Sequence, residues 1–123
     1  MQIDDVTLAT ADGPMRLYSC APEGGGARAM IVIQEAFGVN DHIRSVVDRA
    51  AASGFVAVAP ALFDRVQPGA AFGYDEAGTK AGIDLAWNLP IDEALDDLTA
   101  GADALATELG GAAHVGSIGF CYG

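Results

Sequence analysis

The stretch VGSIGFCYG, Val115 to Gly123, decides how the rest of the chain is read. Its first residues are small or apolar and predict a buried strand. Gly119-Phe120-Cys121-Tyr122-Gly123 then follows as G-x-C-x-G. This pattern turns a strand sharply towards a helix and holds a nucleophile at the tip, with small residues two places before and after it relieving crowding in the turn. Cysteine suits the tip, because the thiolate is strongly nucleophilic and a helix N-terminus favours its charge. The alternative is a buried structural cysteine at a strand end. A buried strand before the motif and an α/β pattern around it favour the turn.

Upstream, Ala29-Met30-Ile31-Val32-Ile33 is a continuous apolar run, as in a strand covered on both faces of a parallel sheet. Gln34 and Glu35 follow at its C-terminal end. Asn40 and Asp41 can cap a helix whose apolar face is Ile43, Val46, Val47, Ala50 and Ala51, with Gly54 as its stop. FVAVAPAL is a second buried strand, ended by Pro60. Residues 64–82 are rich in Gly and Ala and predict a surface excursion with a short helix near its end. Pro90 opens a further helix with Asp92 and Glu93 near its positive end. Ile91, Leu95, Leu98, Ala102, Leu105 and Leu109 are its expected buried stripe, IDEALDDLTAGAD supplies a solvated face, and Gly110-Gly111 closes it. At the start, Ile3, Val6 and Leu8, then Asp12-Gly13-Pro14, then Met15, Leu17 and Tyr18 predict a hairpin. The order β-β, β-α, β-α, β predicts an α/β fold, mostly parallel, with an antiparallel start. Residues 1–123 read as one unit, with Cys121 expected at the end of a central parallel strand.

Composition narrows the function. The chain is 51% hydrophobic, enough for a core, and its net charge is -11 with six basic residues. Nucleic acid and anionic membranes need a basic surface and are poor partners. No apolar run approaches the ~20 residues that span a bilayer, and MQIDDVTLAT lacks the basic and apolar regions of a signal peptide. A cytoplasmic location is the expectation, and it argues against a bond between Cys20 and Cys121. Two cysteines and two histidines do not make a structural zinc site. No metal or cofactor is expected. A nucleotide-binding domain is excluded by the absence of G-x-G-x-x-G after the first parallel strand and of G-x-x-x-x-G-K-[ST] anywhere.

Glu35 alone reads as a surface carboxylate at a strand end. The phrase VIQEAFGVNDHIRSVVDRAAASGFVAVAPALFDR, with VGSIGFCYG, changes that. Together they resemble the dienelactone hydrolase family, a branch of the α/β-hydrolases with a cysteine nucleophile, over most of the chain. Q-E-x-F-G and G-x-C-x-G carry the likeness. The resemblance implies an α/β-hydrolase fold and hydrolysis of enol-lactones or small carboxylic esters. It implies that Cys121 is the nucleophile and that Glu35 hydrogen-bonds the resting thiol. It implies an oxyanion hole made by the backbone N–H groups of Ala36 and Tyr122.

The family's histidine base and the acid that orients it follow the nucleophile, and this sequence ends two residues after Cys121. His42, near the start of the first helix, and His114, at the far end of the last strand, are not placed to replace them. The sequence thus reads as the N-terminal half of a hydrolase. The competing reading is a truncated half-domain that only binds or assembles. Either way the open sheet calls for a cover, the missing C-terminal half or another chain. For the substrate, alignment on Trp87 puts Lys80 near the family's anion-binding arginine, with Asp84 where an aromatic contact is expected. Lysine supplies charge without a bidentate fork. Arg65 is a further anion-contact candidate.

Overall fold

A computed structural model describes residues 2–10, 13–24, 26–109 and 114–123. Strands β1 (Gln2–Thr10) and β2 (Gly13–Ala21) form an antiparallel hairpin registered from Gln2↔Ala21 to Thr10↔Gly13. Gly13 has φ +124°, which glycine adopts without strain. Asp12 of the predicted turn lies outside the described residues. β3 (Ala29–Ile33), β4 (Val56–Pro60) and β5 (Val115–Gly119) complete a five-stranded sheet of order β1-β2-β4-β3-β5. β2 pairs antiparallel with β4, and β3 pairs parallel with both β4 and β5. The expected α/β fold with an antiparallel start is met, although the sheet is evenly mixed rather than mostly parallel, with two parallel and two antiparallel pairings among the described strands.

Both faces of the inner strands are covered, which is why they read as continuous apolar runs. On one face Tyr18, Cys20, Val32, Ala57 and Ala59 pack against helix α1 (Asp41–Ala52), which buries Ile43, Val47 and Ala51. The side chain of Asn40 caps α1 by accepting from the Ile43 amide, and Gly54, at φ +101°, follows its end. On the other face Met15, Leu17, Ile31 and Val58 meet a 3-10 turn (Leu62–Arg65) and helices α2 (Glu76–Asn88) and α3 (Ile91–Leu109). Among the described residues no helix is long and apolar enough to cross a membrane.

Three expectations are corrected. The short helix near the end of the excursion is a full 13 residues, α2, capped by Asp75 on the Gly78 amide. Its glycines hid it: Gly78 and Gly82 lower helix propensity, yet they let α2 lie against the carbonyls of Gly73 and Ala36, where a β-carbon would collide. α3 starts after Pro90 as expected, and Leu98, Ala102 and Leu105 of its expected stripe pack on the core, but its first turns are oriented differently. Ile91 and Leu95 are 69% and 54% exposed, while Ala94, Asp97 and Gly101 are buried. Asp97, read as part of a solvated face, instead accepts the guanidinium of Arg65, and Gly101 faces Pro60 and Leu17. The Leu109 side chain and Gly110-Gly111 lie outside the described residues. Finally, β5 is at the sheet edge rather than the centre, and Gly116 to Gly119 are exposed. Among the described residues it pairs with β3 only, and Ile118 is left 42% exposed.

Candidate active site

β3 and β5 run parallel, and their last paired residues are Ile33 and Gly119. Glu35 and Cys121 each follow two residues later, so both motifs leave the sheet at its C-terminal edge. This is where open α/β sheets place their sites.

At the end of β5 the chain reverses through Phe120–Gly123, closed by a bond from the Gly123 amide to the Phe120 carbonyl at 3.0 Å. Cys121 has φ +56° and is the only non-glycine residue with positive φ among the described residues. That conformation costs a non-glycine residue about 1–2 kcal/mol and marks a strained apex. The flanking glycines are steric requirements. A β-carbon on Gly119 would collide with the Gly123 carbonyl, and one on Gly123 would lie 2.7 Å from Ile33 Cβ. Cys121 is exposed at the tip, whereas Cys20 is buried; both thiols are free. Burial, then the adjacent Asp48, pushes the Cys20 thiol up from its ordinary value, which keeps it unreactive. The Tyr122 ring turns inward against Phe63, and its buried hydroxyl has no partner among the described residues. Desolvation raises that phenol's pKa.

At the end of β3, Gln34 is fully buried, and its Oε1 accepts from the Leu62 amide at 3.0 Å while its Nε2 donates to the Glu35 carbonyl at 3.2 Å. It ties the loop after β3 to the segment after β4. Sequence reading took it as a polar strand end and as the first residue of Q-E-x-F-G, without this bracing role. Glu35 and Gly38 close a tight turn by a 3.2 Å backbone bond, with Gly38 at φ +80°. No side chain fits there, because a β-carbon on Gly38 would strike the Ala70 carbonyl. The excursion docks on this turn through Phe72 N–H to the Phe37 carbonyl at 2.9 Å.

The Glu35 carboxylate accepts from the Tyr74 hydroxyl at 2.6 Å, and that hydroxyl accepts from Asn40 Nδ2 at 3.1 Å. Tyr74 was not singled out from sequence. Its phenol is pushed up from its ordinary value, first by desolvation, then by the bond to Glu35, and in part by the charge of Cys121. Among the described hydrogen bonds Glu35 is joined to Tyr74, and none joins it to the Cys121 thiol. An open groove of about 690 Å³ runs beside it, lined in part by Asn40, His42, Arg44 and Phe72.

Among the described residues the amides of Ala36 and Tyr122 have no backbone or side-chain acceptor, so both are available as donors. Other expected site residues lie apart. Arg65 spends its guanidinium on α3, with Nε 2.7 Å and Nη2 3.1 Å from Asp97 and Nη1 3.9 Å from Glu93. Asp97 is buried, and this ion pair is part of the fold. Lys80 lies in a separate groove along α2 with Glu76, Ile83 and Asp84, and Trp87 is 85% exposed. Among the described contacts none links either to Glu35 or Cys121. His42 is exposed on α1, its ring edge-on to Phe120 at 6.2 Å, and His114 is exposed just before β5.

The dienelactone hydrolase family model matches residues 15–123. A Synechocystis sp. protein named a carboxymethylenebutenolidase is 47% identical over 96 residues, 76% of this chain and 39% of that protein. A protein of the same name from Azospirillum brasilense is 49% identical over 67 residues, 53% of this chain and 29% of that protein. A Klebsiella pneumoniae crystal structure named a dienelactone hydrolase superposes with a TM-score of 0.81 at 29% identity, covering 99% of this chain and 50% of that one. The chain spans less than half the length of the curated relatives it matches. With the family match running from Met15 in β2 through the Cys121 turn, and the fold of a solved relative followed over nearly the whole chain, the protein belongs to the dienelactone hydrolase family, of the α/β-hydrolase fold.

Proposed function

We propose that these residues are the nucleophile-bearing, N-terminal portion of a cytoplasmic cysteine hydrolase acting on small carboxylic esters or enol-lactones. The observation that carries this reading is the backbone of Cys121, at φ +56° between two glycines that admit no β-carbon. A buried structural cysteine needs no such turn. Strain held at an exposed thiol accords with presenting that thiol to a substrate.

In the reaction the Cys121 thiolate adds to the ester carbonyl. The carbonyl oxygen becomes an oxyanion, received by the Ala36 and Tyr122 amides. Collapse expels the alcohol or enolate, which takes up a proton, and leaves a thioester on Cys121. Water then cleaves the thioester, releasing the acid and restoring the thiol. The second half needs a base to activate water, and neither histidine stands in a described contact with Cys121. We assign the base and its orienting acid to residues beyond this chain, supplied by a C-terminal portion or a second chain that also covers the exposed β5. The chain's coverage of less than half of its curated relatives supports this division.

The test is a small chromogenic ester given to the 123-residue chain, with Cys121→Ala as control. The expected result is one equivalent of acylation at Cys121, seen by intact mass, with almost no turnover. Addition of a segment carrying the family's aspartate and histidine is expected to restore turnover. Sustained turnover by the chain alone, lost in Cys121→Ala, overturns the assignment of the base to residues outside it. Absence of acylation overturns the nucleophile.

A further inference from the structure

Tyr74 stands where three segments meet: the loop after β3, the N-terminus of α1 and the excursion leading into α2. The direction of its hydrogen bonds is fixed from one end. Asn40 Oδ1 is committed to the Ile43 amide as the cap of α1, so its amino group faces the phenol, 3.1 Å away. A phenol oxygen that accepts there has its single proton left to donate, and the acceptor is Glu35 Oε1 at 2.6 Å. The Phe37 ring, 4.5 Å from that of Tyr74 between centroids, holds the phenol in place. The bond from Phe72 to the Phe37 carbonyl and the Gly38–Ala71 bridge hold the excursion on the same loop.

We infer that Tyr74 is a positioning residue that sets the reactivity of Cys121 through Glu35: oriented by Asn40, it holds the Glu35 carboxylate as a hydrogen-bond acceptor beside the thiol turn. The inference rests on Cys121 being the nucleophile. A neighbouring carboxylate opposes thiolate formation by like charge, and a donor that shares the carboxylate's charge lessens that opposition. Tyr74 therefore makes the thiolate more accessible than a bare Glu35 would, and fixes where that charge sits. A phenol is protonated at neutral pH, so Tyr74 keeps its proton to donate.

The experiment is alkylation of Cys121 by iodoacetamide in the 123-residue chain at one neutral pH, read by peptide mass so that Cys20 is counted separately. Glu35→Gln removes the charge and is expected to speed alkylation about tenfold. Tyr74→Phe leaves the carboxylate unshared and is expected to slow it about threefold or more. In the Glu35→Gln background, Tyr74→Phe is expected to have no effect, an interaction that a merely structural role would not give. Asn40→Ser keeps a capping oxygen but removes the donor to Tyr74, and is expected to slow alkylation by a smaller factor. Should Tyr74→Phe lower the unfolding midpoint, the Asn40→Ser and Glu35→Gln pair carries the same cycle.

An equal Tyr74→Phe effect in both backgrounds overturns the inference, as does no Tyr74→Phe effect where Glu35→Gln has one. Cys121 left unmoved by Glu35→Gln overturns it as well. A wild-type chain that shows the alkylation pattern but takes no acyl group from an activated ester removes the hydrolase reading and leaves the Tyr74–Glu35 linkage standing.

Discussion

Gly123 is seated directly on Ile33: a β-carbon at Gly123 would lie 2.7 Å from both Cβ and Cγ2 of Ile33 and 2.9 Å from its carbonyl oxygen. The turn that carries Cys121 is thus braced against the last residue of β3, two residues before Glu35. Gly123→Ala is expected to push the turn off β3, with a loss of about 1–3 kcal/mol, the usual cost of overpacking. Urea unfolding measures the loss, and iodoacetamide alkylation of Cys121 reports the displaced turn. Unchanged values for both would mean that the turn gives way freely.

Asp97 is 2% exposed and receives the Arg65 fork at 2.7 and 3.1 Å, which joins the segment after β4 to α3. Removing one partner of a buried pair costs about 3–5 kcal/mol, because the other charge loses its compensation. Asp97→Ala is expected near the lower end of that range, since Glu93 stands 3.9 Å from the same guanidinium. Replacing both residues with apolar ones of similar size is expected to recover much of the loss, as judged by denaturant midpoints.

The Tyr122 hydroxyl is buried without a partner among the described residues, while its ring packs on Phe63. An unsatisfied buried hydroxyl is unfavourable, so deleting it at constant shape is expected to be neutral or stabilising. Tyr122→Phe therefore leaves the melting temperature of the chain unchanged or raises it. A fall of several degrees would reveal an acceptor for that hydroxyl.

Tyr18 is raised to about 12, first by burial and then by its bond to Asp48. The folded state therefore holds this proton more tightly than the unfolded chain, whose phenol titrates near 10. The resulting stability is fully present below pH 10 and is lost as pH rises from 10 to about 12. Tyr18→Phe is expected to flatten the alkaline fall of unfolding free energy in that window, though Tyr74 and Tyr122, also raised, retain part of it. The measurement is denaturant unfolding at a series of alkaline pH values, wild type against variant.

The Tyr74 phenol is held up by burial and then by its bond to Glu35. Glu35→Gln removes the anionic acceptor, so the phenol is expected to titrate at lower pH than in the wild type. The shift is read from the ring carbon signal of Tyr74 by NMR. A phenol that titrates as before would place the whole effect in burial.

The sequence by itself determined what depends on local chemistry. The apolar runs Ala29–Ile33 and FVAVAPAL named β3 and β4, Asn40 and Pro90 marked where α1 and α3 begin, and the glycines of G-x-C-x-G marked the turn at Cys121. Each is legible because the rule that requires it acts within a few residues. Tertiary structure decided what depends on distant neighbours. α2 is full length because Gly78 and Gly82 meet the carbonyls of Gly73 and Ala36, a close approach that no helical periodicity encodes. Asp97 faces inward because Arg65, 32 residues earlier, reaches it. Tyr74 joins the site because the excursion folds back onto the loop after β3 and brings its hydroxyl 2.6 Å from Glu35, across 39 residues of chain whose spacing carries no periodic signal.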